Sequence, residues 1–289
     1  MFDTPKLKRE RKTPFPTSEE DIITSSLMPH TAQTQSPAYK LAFHDPDFLC
    51  REDLRPLRLQ LELLKPELIL QEHGITSTVV LFGGARIPAP GAEPGGKTDI
   101  ARKNLAANAH FYEEARRFAV LASEESLKRD QKEYVVVSGG GPGVMEAANR
   151  GAQDAGALSI GLNIVLPHEQ APNHYVSPEL CFNFHYFAIR KMHFLMRAKA
   201  VTVFPGGFGT LDEMFEVLTL IQTERVAPMP IILFNEKFWR RIVNLRPWPK
   251  KARSRRRIWT CSSSLRPPKR AGTSSNNATI CDDKKGHLR

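Results

Sequence analysis

Residues 201–216, VTVFPGGFGTLDEMFE, restrict the fold more than any other stretch of this chain. Residues 201–204 are a short apolar, β-branched run suited to a strand buried on both faces, as in parallel sheets. Pro205-Gly206-Gly207-Phe208-Gly209 follows as a loop in which three residues lack a Cβ and let a ligand touch backbone. A helix is predicted from Thr210, with Thr210 as its N-cap and Asp212 and Glu213 in the first turn, where the helix dipole favours acids. Leu211, Met214, Phe215, Leu218 and Ile221 then recur at helical spacing on one face. Strand, glycine turn and helix start make a cradle for an anion, because unpaired N–H groups converge there. A carboxylate at such a cradle repels a phosphate unless it serves another part of the same ligand. The pattern therefore predicts a phosphate held on backbone, with Glu213 kept for a sugar or a reaction centre.

The same arrangement recurs upstream. Residues 78–82 read as the first strand and run into Gly83-Gly84-Ala85-Arg86. A glycine turn at the C-terminal end of the first parallel strand is where doubly wound folds bind ligands. Arg86 there either reaches a phosphate or is a solvated loop residue. Residues 134–137 read as the second strand, followed by Ser138-Gly139-Gly140-Gly141-Pro142-Gly143 and a helix running to Ala155. One such cluster is weak evidence, but three at strand–helix junctions support nucleotide binding. A Pro/Gly loop over 87–100 and a long amphipathic helix over about 101–129 separate the first two strands. Residues 159–165 and 230–234 are further strands, and a helix begins near Lys237. The expected fold class is α/β, a doubly wound Rossmann-like parallel sheet with helices on both faces, an N-terminal helical extension and an aberrant C-terminal tail. The expected divisions are an arm with a Leu-rich helical extension over 1–74, a nucleotide-binding domain over 75–244, and a tail over 245–289.

Other polar residues carry two readings each. Glu146 lies in the first turn after Gly143, as a helix-dipole residue or a ligand contact. His168 and Glu169 suggest acid–base chemistry, although a Pro-flanked surface loop is the commoner home for such a pair. The aromatic residues of 182–187 either wall a base pocket or fill core. A helix over about 186–200 places Arg190, His193 and Arg197 on one face, a cationic surface for phosphate or sugar, or a solvated one. Upstream, Leu54 to Leu70 recur among Arg and Glu as one or two helices, with Pro66 ending the first or opening the second. That segment packs on a partner subunit or on the sheet of its own chain.

Three motifs in this order resemble the Lonely Guy (LOG) family, whose members are often labelled lysine decarboxylases. PGGFGTLDE matches its PGGxGTxxE signature, Arg190-Lys191-Met192 its Arg-Lys pair, and residues 139–149 its GGGPGxMEAAN turn. The resemblance spans residues 78–235. It implies a phosphoribohydrolase that cleaves the N-glycosidic bond of a nucleoside 5′-monophosphate, AMP or a cytokinin ribotide, to free base and ribose 5-phosphate. It implies Glu213 and Arg190 as catalytic residues. Gly206, Gly207, Gly209 and Thr210 would bind phosphate, with Lys191, Gly83, Gly84, Arg86, Gly139, Gly140 and Gly141 completing the substrate site. Asp212 stands where many relatives carry Glu, which keeps the charge. No cofactor or metal is implied, and relatives are dimers or larger. Two other readings share these residues. A lysine decarboxylase needs a pyridoxal phosphate Schiff-base lysine, and Lys191, the only motif lysine, has no evident pyridinium partner. A non-catalytic nucleotide or cofactor carrier would keep the glycine turns without needing both Arg190 and Glu213.

Composition excludes some classes. No run approaches the ~18 apolar residues of a membrane span, and the charged N-terminus has no apolar segment of a secretory signal behind it. Cys50, Cys181, Cys261 and Cys281 have neither metal-ligand spacing nor disulfide density, so a reduced cytoplasmic protein is expected. The net charge of +10 resembles a nucleic-acid signal. However, residues 245–289 carry 13 Lys or Arg against 2 Asp or Glu, and the preceding 244 residues carry 28 against 29. A nucleic-acid partner would thus rest on the tail alone. A slip of reading frame near Leu245 accounts for that tail better, since one codon choice read one nucleotide earlier gives an acidic sequence that continues the interrupted helix.

Overall fold

Runs of β-branched and aromatic residues with no polar face can satisfy their surroundings only as strands covered on both sides, and the chain builds such a sheet. The computed structural model describes residues 14–167, 171–243 and, as backbone, 259–262. The chain divides into two compact units, residues 1–61 and 62–289. In the first, α1 (Ser18–Ser26) opens with a reciprocal cap: Thr17 accepts from the Glu20 amide and Glu20 accepts from the Thr17 amide. Short 3₁₀ turns and α2 (Pro46–Leu49) lead into α3 (Arg55–Glu72).

The second unit carries the sheet. Its strands are β1 (Thr78–Phe82), β2 (Val135–Ser138), β3 (Ser159–Ile164), β4 (Cys181–Phe184), β5 (Ala198–Val203), β6 (Ile231–Phe234) and β7 (Trp259–Ser262). They lie in the order β4-β3-β2-β1-β5-β6-β7, every neighbouring pair parallel. The chain winds outward from β1 through β2, β3 and β4, then returns to the other side of β1 for β5, β6 and β7. This is the doubly wound Rossmann-like topology, and its switch point lies between β1 and β5.

Helices follow the strands as α4 (Asp99–Ala107), α5 (His110–Leu127), α6 (Val144–Asp154), α7 (Phe187–Met196), α8 (Phe208–Gln222) and α9 (Glu236–Ile242). Strand alternation divides the core. Val80 and Phe82 pack with Phe194, Met214, Val217 and Trp239 on one face; Val79 and Leu81 pack with Phe111, Tyr112, Ala115 and Val144 on the other.

Three elements differ from expectation. The helix over 101–129 is two, α4 and α5, because the Asn108 side chain donates back to the Asn104 carbonyl at 2.8 Å and closes the first. Pro66 neither ends nor begins a helix; it lies buried inside the continuous α3. A proline there leaves the carbonyl of Glu62, four residues earlier, without its helical donor, and His193 Nε2 stands 3.3 Å from that oxygen. Finally, β7 forms within the stretch assigned to the tail, whose remaining residues lie outside those described.

Gly151 lets α6 cross close over α5. A Cβ there would run into the backbone oxygen of Arg116 on α5, whereas one at Gly95 meets nothing within 4 Å. Gly151→Ala is expected to destabilise by about 1–2 kcal/mol, overpacking exceeding the gain in helix propensity. Gly95→Ala should stay within about 0.5 kcal/mol of the parent. Denaturant midpoints of the two variants check this.

Candidate active site

The turns after β1, β2 and β5 are stitched together by backbone. Phe204 N donates to Phe82 O at 2.8 Å, Gly84 N to Pro205 O at 3.0 Å, and Val144 N to Gly84 O at 3.2 Å. These approaches need glycine: a Cβ on Gly83 would strike Val144, and one on Gly143 (φ +70°) would strike the Gly84–Ala85 backbone. Above them a cavity of about 580 Å³ opens at the strand C-termini. Gly83, Gly84, Gly139, Gly206, Gly207 and Gly209, with Arg86, Arg190, Thr210, Asp212 and Glu213, form one part of its wall, and Ile87, Met145, Ile164, Leu166, Phe187 and Phe194 form an apolar part.

The start of α8 differs from its prediction. Gly207, not Thr210, is the N-cap, and it has no side chain to close the turn. Thr210 lies within the first turn, buried, with its hydroxyl packed against Gly206. Asp212 and Glu213 thus fall in the second turn. The first helical bond runs from Leu211 N to Gly207 O, so the amides of Phe208, Gly209 and Thr210 have no partner within the helix. Nothing lies within 4 Å of a Cβ built on Gly207 or Gly209. The helix start is therefore open to an anion.

The middle turn is rigid rather than open. Gly140 N donates to Ser138 Oγ at 3.0 Å, and Asn173 Nδ2 donates to the carbonyls of Gly140 and Gly141 at 2.9 and 3.0 Å. Fully buried Asn149 accepts from Ser138 Oγ and Asn173 Nδ2 and donates to Ser159 Oγ. Of this turn Gly139 reaches the cavity wall; Gly140 and Gly141 do not.

The cationic face on α7 separates into three roles. Arg190 lines the cavity, its Nε donating to Leu162 O at 2.8 Å and its guanidinium 5.1 Å above the Phe194 ring. His193 is buried, and burial holds its imidazole below the usual histidine range. Arg197 makes a two-toothed pair with Glu67 at 2.6 and 2.7 Å and bonds Ile75 O. Glu62 accepts from the amides of His185 and Tyr186 at 2.8 and 3.0 Å and so closes the N-terminus of α7. Lys191 does not line the cavity. Its Nζ lies 2.8 Å from Asp212 and 2.7 Å from Glu216. Burial lowers its pKa, but the two carboxylates outweigh this and hold the ammonium above its usual value. A Schiff base needs a neutral, reachable amine, so Lys191 does not suit pyridoxal phosphate.

Glu213 is the unusual carboxyl. It faces the cavity yet is 7% exposed, and burial pushes its pKa up to about 7; Lys191 and Arg190 pull it down, while Glu216 and Asp212 add to the rise. Arg86 lines the same cavity from the β1 turn. Glu146 is turned away, accepting from the buried Tyr112 hydroxyl at 2.6 Å, and its role is to join α6 to α5. Phe182 and Phe184 are core, and Phe187 stands at the cavity wall. His168 and Glu169 lie outside the described residues. Leu105 of α4, the C-cap residue Asn108 that follows it, and Phe238 of α9 also line the cavity; no local motif marked them. Among the described residues no three His, Cys, Asp or Glu cluster to hold a metal, and no helix is long and apolar enough to cross a membrane.

A sequence-family model described as "Possible lysine decarboxylase" matches residues 145–247, a little over a third of the chain. No curated protein matches. Among solved structures, the structural-genomics protein TM1055 is similar at 21% identity and TM-score 0.43, over 65% of this chain and 93% of that one. The molybdenum cofactor carrier protein from Chlamydomonas reinhardtii is similar at 15% identity and TM-score 0.38, over 65% and 91%. Scores at this level decide nothing about activity.

Glu213 supplies a stability test. Its carboxyl titrates at about 7 in the fold against an ordinary 4.5. The fold favours the acid form, so the stability tied to that form is complete below the ordinary value and is lost as pH rises through 7. Glu213→Gln removes the titration. The variant is expected to melt several degrees above the parent at about pH 8, an effect of up to about 3 kcal/mol, and the gain should shrink as pH falls and vanish below the ordinary value of 4.5. Melting curves across pH check it.

Proposed function

We propose that the chain hydrolyses the N-glycosidic bond of a nucleoside 5′-monophosphate, AMP or an N6-substituted adenine ribotide, releasing free base and ribose 5-phosphate. The observation that carries this is Glu213, a buried carboxyl beside an anion cradle, sharing one cavity with Arg190. The LOG-type motifs support the same assignment.

Each group has a chemical task. The amides at the start of α8 and the Thr210 hydroxyl take the phosphate, a charge-assisted arrangement that costs no reorganisation. Arg86 reaches it from the β1 turn. The apolar wall of Met145, Ile164, Leu166 and Phe187 receives the base. Glycosidic cleavage passes through an oxocarbenium-like state, in which positive charge develops on the ribose. The ionised Glu213 stabilises that charge and orients the attacking water at C1′. The C1′–N bond breaks with its electron pair passing to the base, the water oxygen bonds to C1′, and the water's protons end on the base and the new hydroxyl. Arg190 holds the ribose phosphate or assists the leaving base. A desolvated carboxylate is a stronger electrostatic group than a hydrated one, and its raised proton affinity follows from the same burial.

Free base released from AMP, followed by chromatography, tests the proposal. The working form is the carboxylate, so the rate should climb with pH and level off above about 7, the value for Glu213. Glu213→Gln should lose on the order of 10²–10⁴-fold in kcat while still binding AMP. A folded parent protein that binds AMP and releases nothing would instead make the chain a nucleotide carrier.

A further inference from the structure

Arg190 and Lys191 are consecutive on α7, and Asp212 and Glu213 are consecutive on α8. Neighbouring helical residues point about 100° apart. As Arg190 and Glu213 turn toward the cavity, Lys191 is therefore directed sideways, into the seam between the helices. There its Nζ is shared between Asp212 and Glu216, at 2.8 and 2.7 Å, and the lysine side chain is 15% exposed. The two acids are one helical turn apart on α8, so a single ammonium holds two successive turns.

The other end of the linkage is fixed. Glu62 caps the start of α7, Glu67 grips Arg197 just past its end, and Arg190 Nε is bonded to the carbonyl of Leu162 on β3. The lysine thus connects a helix already anchored on its far side to the helix that carries Glu213. We propose that Lys191 is a positioning residue, forming with Asp212 and Glu216 a three-charge tie that fixes Arg190 and Glu213 across the cavity and sets the charge field around Glu213. This rests on the hydrolase reading for its effect on rate, although the tie itself does not.

The charged groups around Glu213 are Arg190 and Lys191 on α7, Asp212 and Glu216 on its own helix, and Arg86 at the β1 turn; α9 contributes Phe238, which is uncharged. Lys191 favours the carboxylate and Glu216 opposes it. Removing either should move the proton affinity of Glu213 in opposite directions, which a merely structural contact would not do.

The test uses the full chain with Lys191→Met, Lys191→Arg and Glu216→Gln. Two readouts are taken: the pH profile of base release from AMP, and the titration of the Glu213 carboxyl by ¹³C NMR, which needs no activity. Lys191→Met should shift both midpoints upward by about one pH unit and Glu216→Gln should shift them downward. At pH 7, Lys191→Met should lose on the order of 10-fold in kcat with KM little changed, and Lys191→Arg should restore most of it. Unchanged midpoints, or shifts of the same sign, would overturn the proposal. If Lys191→Met does not fold, the direction of the Glu216→Gln shift decides alone. If the parent protein releases no base, the hydrolase reading fails, and the NMR titration still judges the tie.

Discussion

The parallel pairing of β1 with β5 is the constraint on which the rest of the molecule depends. At this switch point the chain leaves β1 in one direction and returns on its other side, which opens a crevice above the strand ends. The pairing continues past the last ladder residues through Phe204 N to Phe82 O and Gly84 N to Pro205 O. Those bonds bring two glycine turns within backbone contact. The third, Gly143 beside the Gly84–Ala85 backbone, locks α6 against them. Side chains at these glycines would force the turns apart, and the cavity floor would open.

From that floor the chemistry follows by desolvation. The helix α8 starts at a bare glycine cap, which leaves its first amides free, and its second turn presents Glu213 to the same space. A carboxyl that is 7% exposed cannot keep its ordinary proton affinity. Two cations on α7 counter the penalty, and their ion-pair and hydrogen-bond partners explain how α7 is held. Pro66, Glu62 and Glu67 on α3 together make that helix the support of α7: the proline frees a carbonyl for His193, and the two acids take its N-terminus and its final arginine.

Much of this was legible in the sequence, because glycine clusters after β-branched runs have few other uses. The strands β1, β2, β3, β5 and β6 and all three turns were marked by local pattern, whereas the placing of Arg190 with Glu213 in one site came from the resemblance to the LOG family, helical spacing alone leaving Arg190 either a ligand contact or a solvated residue. What escaped had non-local causes. Thr210 looks like a cap, yet Gly207 takes the position because Thr210 is packed onto Gly206. His193 and Arg197 share a helical face with Arg190, but their partners Glu62 and Glu67 lie over a hundred residues away. Helical spacing alone gave no sign that these two were claimed by α3. Lys191 was read from its motif as a substrate contact, whereas its partners on α8 take its ammonium away from the cavity. Leu105, Asn108 and Phe238 reach the cavity from elements that carry no signature, and their presence follows from packing alone.

The central claim is that the open start of α8 holds a phosphate while Glu213 faces the sugar attached to it. A crystal structure of the Glu213→Gln protein with AMP tests this most directly. The account predicts phosphate oxygens on the amides of Phe208, Gly209 and Thr210, ribose C1′ beside residue 213, and the base against the apolar wall near Phe187. Phosphate bound elsewhere, or a ribose turned away from residue 213, would contradict it.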